Sequence, residues 1–326
     1  TLPYRIFFRR NKLLWVVIGR DDGVFLDNSK YFYCWLKENA PFDVQVVYVT
    51  RDKKTQRLLK KNKQDVYLFP TWRAKLCLLK AGFIIVDNYH SFEGRLIDWY
   101  RGAILVQLWH GSPLKEIELM LHKKRLQRLG EKKRKLALLI LQLEDKFPRL
   151  DFLISPSQFF SDHVFIPAFN AKSIILSGYP RNDIFSKKFN LSSALVKINT
   201  DSEALERIER HKHLGGKVII YMPTYRDDFK SSFDIDGFQI DAWNETFHNH
   251  NILLVLKLHP EMGAQKINHS SDKLIFIDAD SDIYPILPQT DILITDYSSI
   301  YFDYLHNNKP IIFFPYDLDY YLINNR

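Results

Sequence analysis

The chain has 326 residues, with 46 Lys and Arg against 38 Asp and Glu, so its formal net charge is +8. A length near twice the ~150 residues of a typical domain predicts two domains, and the content of 46% hydrophobic residues excludes a disordered chain. Its two cysteines, Cys34 and Cys77, exclude a disulfide framework and a cysteine-based zinc site, and they favour a reducing compartment.

Short apolar runs alternate with helix-like segments along the whole chain. The first run, residues 13–19, is too short to span a membrane and is followed by charged residues, so we interpret it as a buried strand. Near-continuous apolar strands that alternate with helices predict parallel sheets covered on both faces. The predicted strands are 13–18, 44–49, 66–69, 83–86, 104–108, 152–154, 173–176, 218–222, 253–258, 274–277, 292–295 and 311–314.

The strand pattern is interrupted between about residues 185 and 216. This stretch is polar and helix-like, and it ends in Gly215-Gly216. We therefore predict an α/β protein of two Rossmann-like domains, residues 1–182 and 183–326, with parallel sheets that face each other across a cleft.

Residues 115–147 predict one long helix that carries leucines at helical spacing. Eight basic residues and one acidic residue lie between Lys123 and Lys135, and Gly130 is a candidate break. One interpretation is a solvated face on a helix that packs through its leucines. The other is a surface for anionic lipid or for a polyanionic acceptor.

Polar residues follow several strands at their carboxyl ends, where parallel sheets bind ligands. In the first half, His110 and Gly111 come after the strand 104–108. Glycine lets the backbone and a substrate approach closely. A histidine with a pKa near neutrality at this position is suited to take a proton from an attacking hydroxyl.

The second half places phosphate-binding residue types at strand ends. Serines at a helix start, here Ser298 and Ser299, present backbone N–H groups to a pyrophosphate, or they simply cap the helix. His259 follows another strand, with Lys257 two residues before it. This pair suits a departing phosphate, although a histidine there is often structural. Arg226 is either a surface residue or a bidentate phosphate clamp.

Common nucleotide and hydrolase signatures do not occur in the sequence. There is no Walker-A loop, no Gly-x-Gly-x-x-Gly fingerprint, no Gly-x-Ser-x-Gly elbow and no His-Glu-x-x-His helix. The Asp-x-Asp triplets at 234–236, 278–280 and 317–319 are interpreted as chance in a chain rich in aspartate. We expect no metal and no cofactor.

Taken in order, nine segments resemble the CDP-glycerol glycerophosphotransferase family, which includes teichoic-acid primases, teichoic-acid polymerases and capsule-building relatives. They are 27–31 (DNSKY), 107–115 (QLWHGSPLK), 178–183 (GYPRND), 222–228 (MPTYRDD), 257–260 (KLHP), 295–299 (TDYSS), 302–303 (FD), 309–314 (KPIIFF) and 316–318 (YDL).

The resemblance implies a GT-B fold and an enzyme that transfers glycerol phosphate or ribitol phosphate from a CDP-alditol to a hydroxyl, with release of CMP. It implies His110 as the general base, with His259 also catalytic. The CDP donor site would comprise Arg226, Asp228, Lys257, Asp296, Ser298 and Ser299. Gly111, Arg181, Asn182 and Asp183 would lie in the cleft or near the acceptor.

The resemblance also implies partners and a location. The donor would be CDP-glycerol or CDP-ribitol, and the acceptor a polyanionic polymer or a lipid-linked molecule for teichoic acid or capsule. We expect a cytoplasmic enzyme that lies peripherally on the anionic inner face of the bacterial membrane and does not bind nucleic acid. We also expect the C-terminal domain to continue beyond Arg326.

Two alternatives come from other classes. The first is a GT-B glycosyltransferase that uses a CMP-sugar, because His-Pro and Ser-Ser elements also resemble those of bacterial polysialyltransferases. The second is a non-catalytic protein that binds polyanions or membranes through residues 115–147.

Overall fold

The structure is a computed structural model, and it describes residues 8–88, 96–127, 129–133, 135–137, 148–191, 193–224, 240–257, 272–278 and 280–324. The chain divides into two compact units, Thr1–Asp183 and Ile184–Arg326. The sequence placed its domain boundary between residues 182 and 183.

The N-terminal unit is built on a seven-stranded sheet with the order β3-β2-β1-β4-β5-β6-β7. Every neighbouring pair of these strands is parallel. The strands are β1 (Asn11–Ile18), β2 (Gln45–Thr50), β3 (Val66–Leu68), β4 (Ala81–Val86), β5 (Ile104–Gln107), β6 (Leu150–Ser155) and β7 (Ala171–Leu176).

Helices connect these strands, and polar caps fix where several of them begin. The Asp52 carboxylate accepts hydrogen bonds from two backbone N–H groups of the first turn after it, and Thr71 and Ser157 cap their helices in the same way. The helices are Asp27–Asn39, Lys53–Lys61, Trp72–Lys80, Ile97–Tyr100 and Glu118–Leu126, followed by the consecutive helical turns Gln158–Phe160, Ser161–Phe165 and Ile166–Ala168, and by the 3-10 turn Pro180–Phe185.

The core of the N-terminal unit lies on its central strands. Val16 and Val17 of β1, and Ile84 and Ile85 of β4, are buried. The strand order runs outward in opposite directions from β1 and β4, so their carboxyl ends form the switch point where open parallel sheets bind ligands. Gly19 follows β1 there, and a Cβ on it would lie 1.9 Å from the Tyr48 hydroxyl.

The C-terminal unit has a five-stranded parallel sheet with the order β10-β9-β8-β11-β12. Its strands are β8 (Lys217–Met222), β9 (Ile252–Lys257), β10 (Leu274–Ile277), β11 (Ile292–Thr295) and β12 (Ile311–Phe313). Its helices are Ala194–Lys197, Ser202–His213, Ile240–Asn249, Ile300–Tyr304 and Leu318–Asn324, with 3-10 turns at Leu287–Gln289 and Leu305–Asn307. A buried cluster of Tyr221, Phe247, Leu254, Leu256 and Leu274 forms part of its core.

All twelve predicted strands are present, with ends shifted by at most two residues. The prediction of two parallel α/β sheets is therefore confirmed. It succeeds because strands buried on both faces have a continuous apolar sequence.

In its described part, the helix predicted over residues 115–147 is split at the candidate break that Gly130 indicated. The helix begins at Glu118 and ends at Leu126, and helical structure resumes only at residues 131–133 and 135–137. Gly130 lies in the break, and glycine is among the weakest helix formers. Residues 128, 134 and 138–147 lie outside the described residues.

Among the described residues, no helix combines the length and the apolar content needed to cross a membrane.

Candidate active site

His110 lies on a tight turn that follows β5. We call residues 109–111 the histidine turn. Trp109 has a φ of +56° and Gly111 a φ of +151°, so the backbone on both sides of His110 is in a region that side-chain-bearing residues rarely adopt. The buried Gln107 side chain accepts a hydrogen bond from the Trp109 N–H, at 3.0 Å.

The His110 ring is held in one tautomer. Its Nδ1 lies 3.0 Å from the backbone carbonyl oxygen of Asp87. A carbonyl only accepts hydrogen bonds, so Nδ1 carries the proton and Nε2 has the basic lone pair. Burial, together with the nearby charge of Arg20, lowers the pKa of His110 to about 4. The ring is therefore neutral at pH 7, and its pKa is lower than the near-neutral value expected from the sequence.

Arg181 is buried, although the resemblance implied a position in the cleft or near the acceptor. It is 3% exposed, and its Nη1 donates to Asp27 Oδ1 at 2.5 Å and to the carbonyl oxygen of His110 at 2.9 Å. Burial alone would raise the pKa of Asp27, but the charges of Arg181 and Arg20 hold it below its ordinary value. Arg181 therefore binds the backbone of the histidine turn, and its charge is paired with Asp27 and is not exposed to solvent.

The two residues after Arg181 differ from it in exposure. Asn182 is half-buried and Asp183 is exposed. The Oδ1 atom of Asn182 is buried and accepts no hydrogen bond from any described residue. Their place near an acceptor stays a prediction.

Asp87 is a buried carboxyl group beside His110 to which the sequence assigned no role. It is 0% exposed, and its Oδ2 accepts from the Ser29 N–H at 3.3 Å. No described residue donates to its Oδ1. Burial, with the neighbouring charge of Asp27, raises the pKa of Asp87 to about 8, so at pH 7 it is mostly protonated.

The segment from Asp27 to Lys30 belongs to the family resemblance, but sequence reasoning assigned no site role to its residues. These four polar residues begin the helix Asp27–Asn39, and all four are buried. The available signal was a helix that opens with four consecutive polar residues directly before aromatic ones. A surface helix would alternate polar and apolar positions with a period of 3.6.

In the C-terminal unit, Asp296 connects the ends of two strands. It is 4% exposed, and its Oδ1 accepts from the N–H of Thr224, which follows β8, at 2.8 Å and from the N–H of Tyr297 at 2.6 Å. Asp296 thus fixes the loops after β8 and β11 relative to each other.

The paired serines lie at the start of a short helix. Ser298 Oγ accepts from the Ile300 N–H at 3.4 Å, and Ser299 precedes the five-residue helix Ile300–Tyr304 without capping it through its side chain. Both serines are half-buried. The strand-to-helix position expected from the sequence is therefore present.

Lys257, the last residue of β9, reaches the loop after β10. Its ammonium group donates to the backbone carbonyl oxygens of Asp278 and Ser281, the latter at 2.8 Å. Burial lowers the pKa of Lys257 to about 8, although Asp282 and the other aspartates of this loop oppose that shift. Lys257 thus orders the loop and brings a cation to the carboxyl edge of the sheet.

Three predicted site residues, Arg226, Asp228 and His259, lie outside the described residues. The structure therefore brings together His110 with Gly111 and Arg181 in one unit, and Asp296 with the two serines in the other. Within the described part of the chain, no group of His, Cys, Asp and Glu side chains has a geometry that suits a metal ion.

Comparison with known proteins gives a consistent result. Residues 2–326 match the family described as CDP-Glycerol:Poly(glycerophosphate) glycerophosphotransferase. The chain is 29% identical to the teichoic acid poly(glycerol phosphate) polymerase of Bacillus spizizenii, over 99% of this chain and 80% of that protein. It is also 29% identical to the teichoic acid glycerol-phosphate transferase of Staphylococcus aureus, over 91% of this chain and 72% of that protein.

A solved structure shares the fold. The structure of the wall teichoic acid polymerase TagF matches with a TM-score of 0.66 and 21% sequence identity, over 96% of this chain and 72% of that one. This likeness confirms the predicted GT-B fold class.

We predict that His110 remains neutral and keeps the Nδ1–H tautomer throughout the physiological pH range, because burial disfavours the imidazolium. NMR of histidine labelled with ¹⁵N, with the signal assigned through the loss of a resonance in His110→Gln, should give a titration midpoint near the pKa of about 4. A midpoint at or above the ordinary value of 6.5 would contradict this geometry.

We predict that Asp87→Asn stabilises the protein more at pH 8 than at pH 5. The pKa of Asp87 is raised from 3.8 to about 8 on folding, so wild-type stability falls as pH rises through this window. An advantage of about 1 kcal/mol would raise the Tm at pH 8 by ~2–4 °C.

Differential scanning fluorimetry at both pH values measures this effect, with the exposed Asp43→Asn as the matched control. The same Tm difference for Asp87→Asn at pH 5 and pH 8 would refute the raised pKa.

Proposed function

The chain belongs to the CDP-glycerol:poly(glycerophosphate) glycerophosphotransferase family, and we propose that His110 is the base of the transfer that this family carries out. The enzyme transfers an alditol phosphate from its CDP donor during teichoic-acid synthesis. An acceptor hydroxyl oxygen forms a bond to the alditol-bearing phosphorus, and the bond from that phosphorus to the bridging oxygen breaks. CMP leaves, and the hydroxyl proton passes to His110 Nε2.

The tautomer of His110 is the observation that carries this proposal. A general base must be unprotonated before the reaction and must aim its lone pair at the nucleophile. The hydrogen bond from Nδ1–H to the Asp87 carbonyl fixes the ring so that Nε2 is the basic atom. The low pKa of His110 keeps that atom unprotonated at the pH of the cytoplasm.

We propose that the donor binds at the carboxyl edge of the C-terminal sheet. Asp296 holds the loops after β8 and β11 together, and this arrangement presents Ser298, Ser299 and their backbone N–H groups to the donor pyrophosphate. Lys257 adds positive charge at the end of β9. We propose the same donor contact for Arg226 and Asp228, and we propose a catalytic role for His259.

We propose CDP-glycerol as the donor and a glycerol-phosphate polymer or a lipid-linked molecule as the acceptor. The two relatives described above are named for glycerol phosphate, which favours glycerol over ribitol. For the acceptor side we propose Gly111, which belongs to the histidine turn, and Asn182 and Asp183, which follow Arg181 in the sequence.

We predict that the purified protein releases CMP from CDP-glycerol when a phosphoalditol acceptor is present, and that His110→Ala lowers kcat by about 100-fold or more, as expected for loss of a general base. The matched control is His163→Ala, which removes an exposed histidine from the same unit. CMP release is measured by chromatography.

The same assay with CDP-ribitol and with a CMP-sugar distinguishes the donors. CMP release from only the CMP-sugar would replace alditol-phosphate transfer with glycosyl transfer. Full activity of His110→Ala with CDP-glycerol would remove His110 as the base and leave the transfer reaction in place.

We also propose that the basic segment, residues 123–135, contacts an anionic membrane surface. This contact would place the enzyme at the inner face of the cell membrane. Lys132, Lys133 and Lys135 are exposed, and so are the neighbouring Leu129 (39%) and Leu136 (56%). Exposed lysines beside exposed leucines are the combination that binds the interface of anionic bilayers.

We predict that the triple change Lys132→Glu, Lys133→Glu and Lys135→Glu weakens binding to phosphatidylglycerol vesicles by about tenfold or more, because each basic residue near such a surface contributes ~1 kcal/mol. The matched control is Lys53→Glu, Lys60→Glu and Lys61→Glu, which has the same charge change on an exposed helix face. Co-sedimentation measures both. Equal losses in the two variants would assign the effect to net charge instead of to this segment.

A further inference from the structure

Three successive backbone carbonyl oxygens, those of the histidine turn, are each bound by a different side chain. Asn28 Nδ2 donates to the first carbonyl at 2.7 Å, and Arg181 Nη1 donates to the second at 2.9 Å. The Tyr179 hydroxyl donates to the third at 2.7 Å. All three donor residues are buried, so these hydrogen bonds form away from competing water.

The histidine turn needs such support because its backbone is strained. The φ of +56° at Trp109 is left-handed, and a residue with a Cβ in this region has a conformational cost that the surrounding structure must offset. An unsatisfied buried carbonyl would add a second cost. The three donors remove the second cost and thereby stabilise the strained form.

The donors also bind one another. Asn28 Oδ1 accepts from the backbone N–H of Arg181 at 3.2 Å. The Arg181 guanidinium lies 5.4 Å from the centre of the Tyr179 ring. The Asp27 carboxylate fixes the direction of that guanidinium. Two segments far apart in sequence, 27–28 and 179–181, therefore act on the turn as one unit.

We propose that Asn28, Tyr179 and Arg181 are positioning residues that set the direction of the His110 ring. They do so by binding the three backbone carbonyls of the histidine turn. The inference rests on the proposed function, in which His110 is the base. The three side chains act through the backbone and do not touch the reacting atoms. Misplacement of a catalytic group by ~1 Å can cost about 100-fold in rate, so loss of one donor should lower kcat without weakening donor binding.

Tyr179→Phe is the sharpest test, because it removes only the hydroxyl that binds the Gly111 carbonyl. We expect kcat to fall by about 10- to 100-fold, with the KM for CDP-glycerol unchanged. We also expect the ¹⁵N resonances of His110 to shift, which requires no substrate. Tyr33→Phe is the matched control, since that buried tyrosine of the same unit donates its hydrogen bond to Gln64 and not to the histidine turn.

Asn28→Ala is the second variant, and it removes the donor to the first carbonyl. Circular dichroism and the Tm identify the folded fraction of each variant, and kcat is referred to that fraction. A loss of kcat that Tyr33→Phe reproduces would show a general effect of losing a buried hydroxyl, and it would overturn the proposal.

The outcomes separate this proposal from the proposed function. If Tyr179→Phe and Asn28→Ala keep the wild-type kcat and His110 resonances while His110→Ala is inactive, the positioning proposal is wrong and His110 remains the base. If His110→Ala is active, the base is wrong, and the His110 resonances of the two variants alone decide whether these side chains orient the ring.

Discussion

The buried ion pair between Asp27 and Arg181 is the interaction on which the N-terminal site depends. Both side chains are almost completely excluded from solvent. Two charges taken out of water are costly, and their attraction offsets that cost only when further hydrogen bonds satisfy the remaining donors and acceptors. Here Arg181 also donates a hydrogen bond to the carbonyl oxygen of His110, so the requirement to satisfy a buried charge also fixes the backbone at His110.

The same pair sets the protonation states around it. Asp27 and Asp87 are two buried carboxyl groups in one network. Asp27 forms ion pairs with Arg181 and Arg20, whereas at Asp87 burial and the charge of Asp27 outweigh the charge of Arg20. The pKa of Asp27 is therefore held low, while that of Asp87 is raised. At His110, the Asp27 carboxylate favours the charged ring, whereas Arg20 and Arg181 disfavour it. Burial is the largest effect, and it lowers the pKa so that the ring is neutral. Titratable neighbours whose pKa values are driven apart are the usual mark of an acid–base site.

The sequence predicted the sheets and the strand-end position of His110, because both follow from local patterns. Continuous apolar runs identify strands buried on both faces, and the residue after such a strand lies at the ligand-binding edge. The role of Arg181 was not predictable in this way. Its partner Asp27 is 154 positions away in the sequence, and an arginine gives no local sign of whether it is solvated or buried. The sequence marked Gly130 as a candidate break, although the leucine spacing continues across it.

Both units organise their strand ends by the same physical means. In each, polar side chains at or just after the end of one strand bind the backbone of a neighbouring loop. His110 binds the Asp87 carbonyl, and Asp296 binds the Thr224 N–H. Lys257, at the end of β9, binds the carbonyls after β10. Phosphoryl transfer needs little covalent participation by the protein, because its rate depends on positioning and on charge stabilisation. Loops that are joined by hydrogen bonds to their backbones are already positioned before any substrate binds. The polar residues at the strand ends thus fix the backbone geometry of the loops that follow the strands.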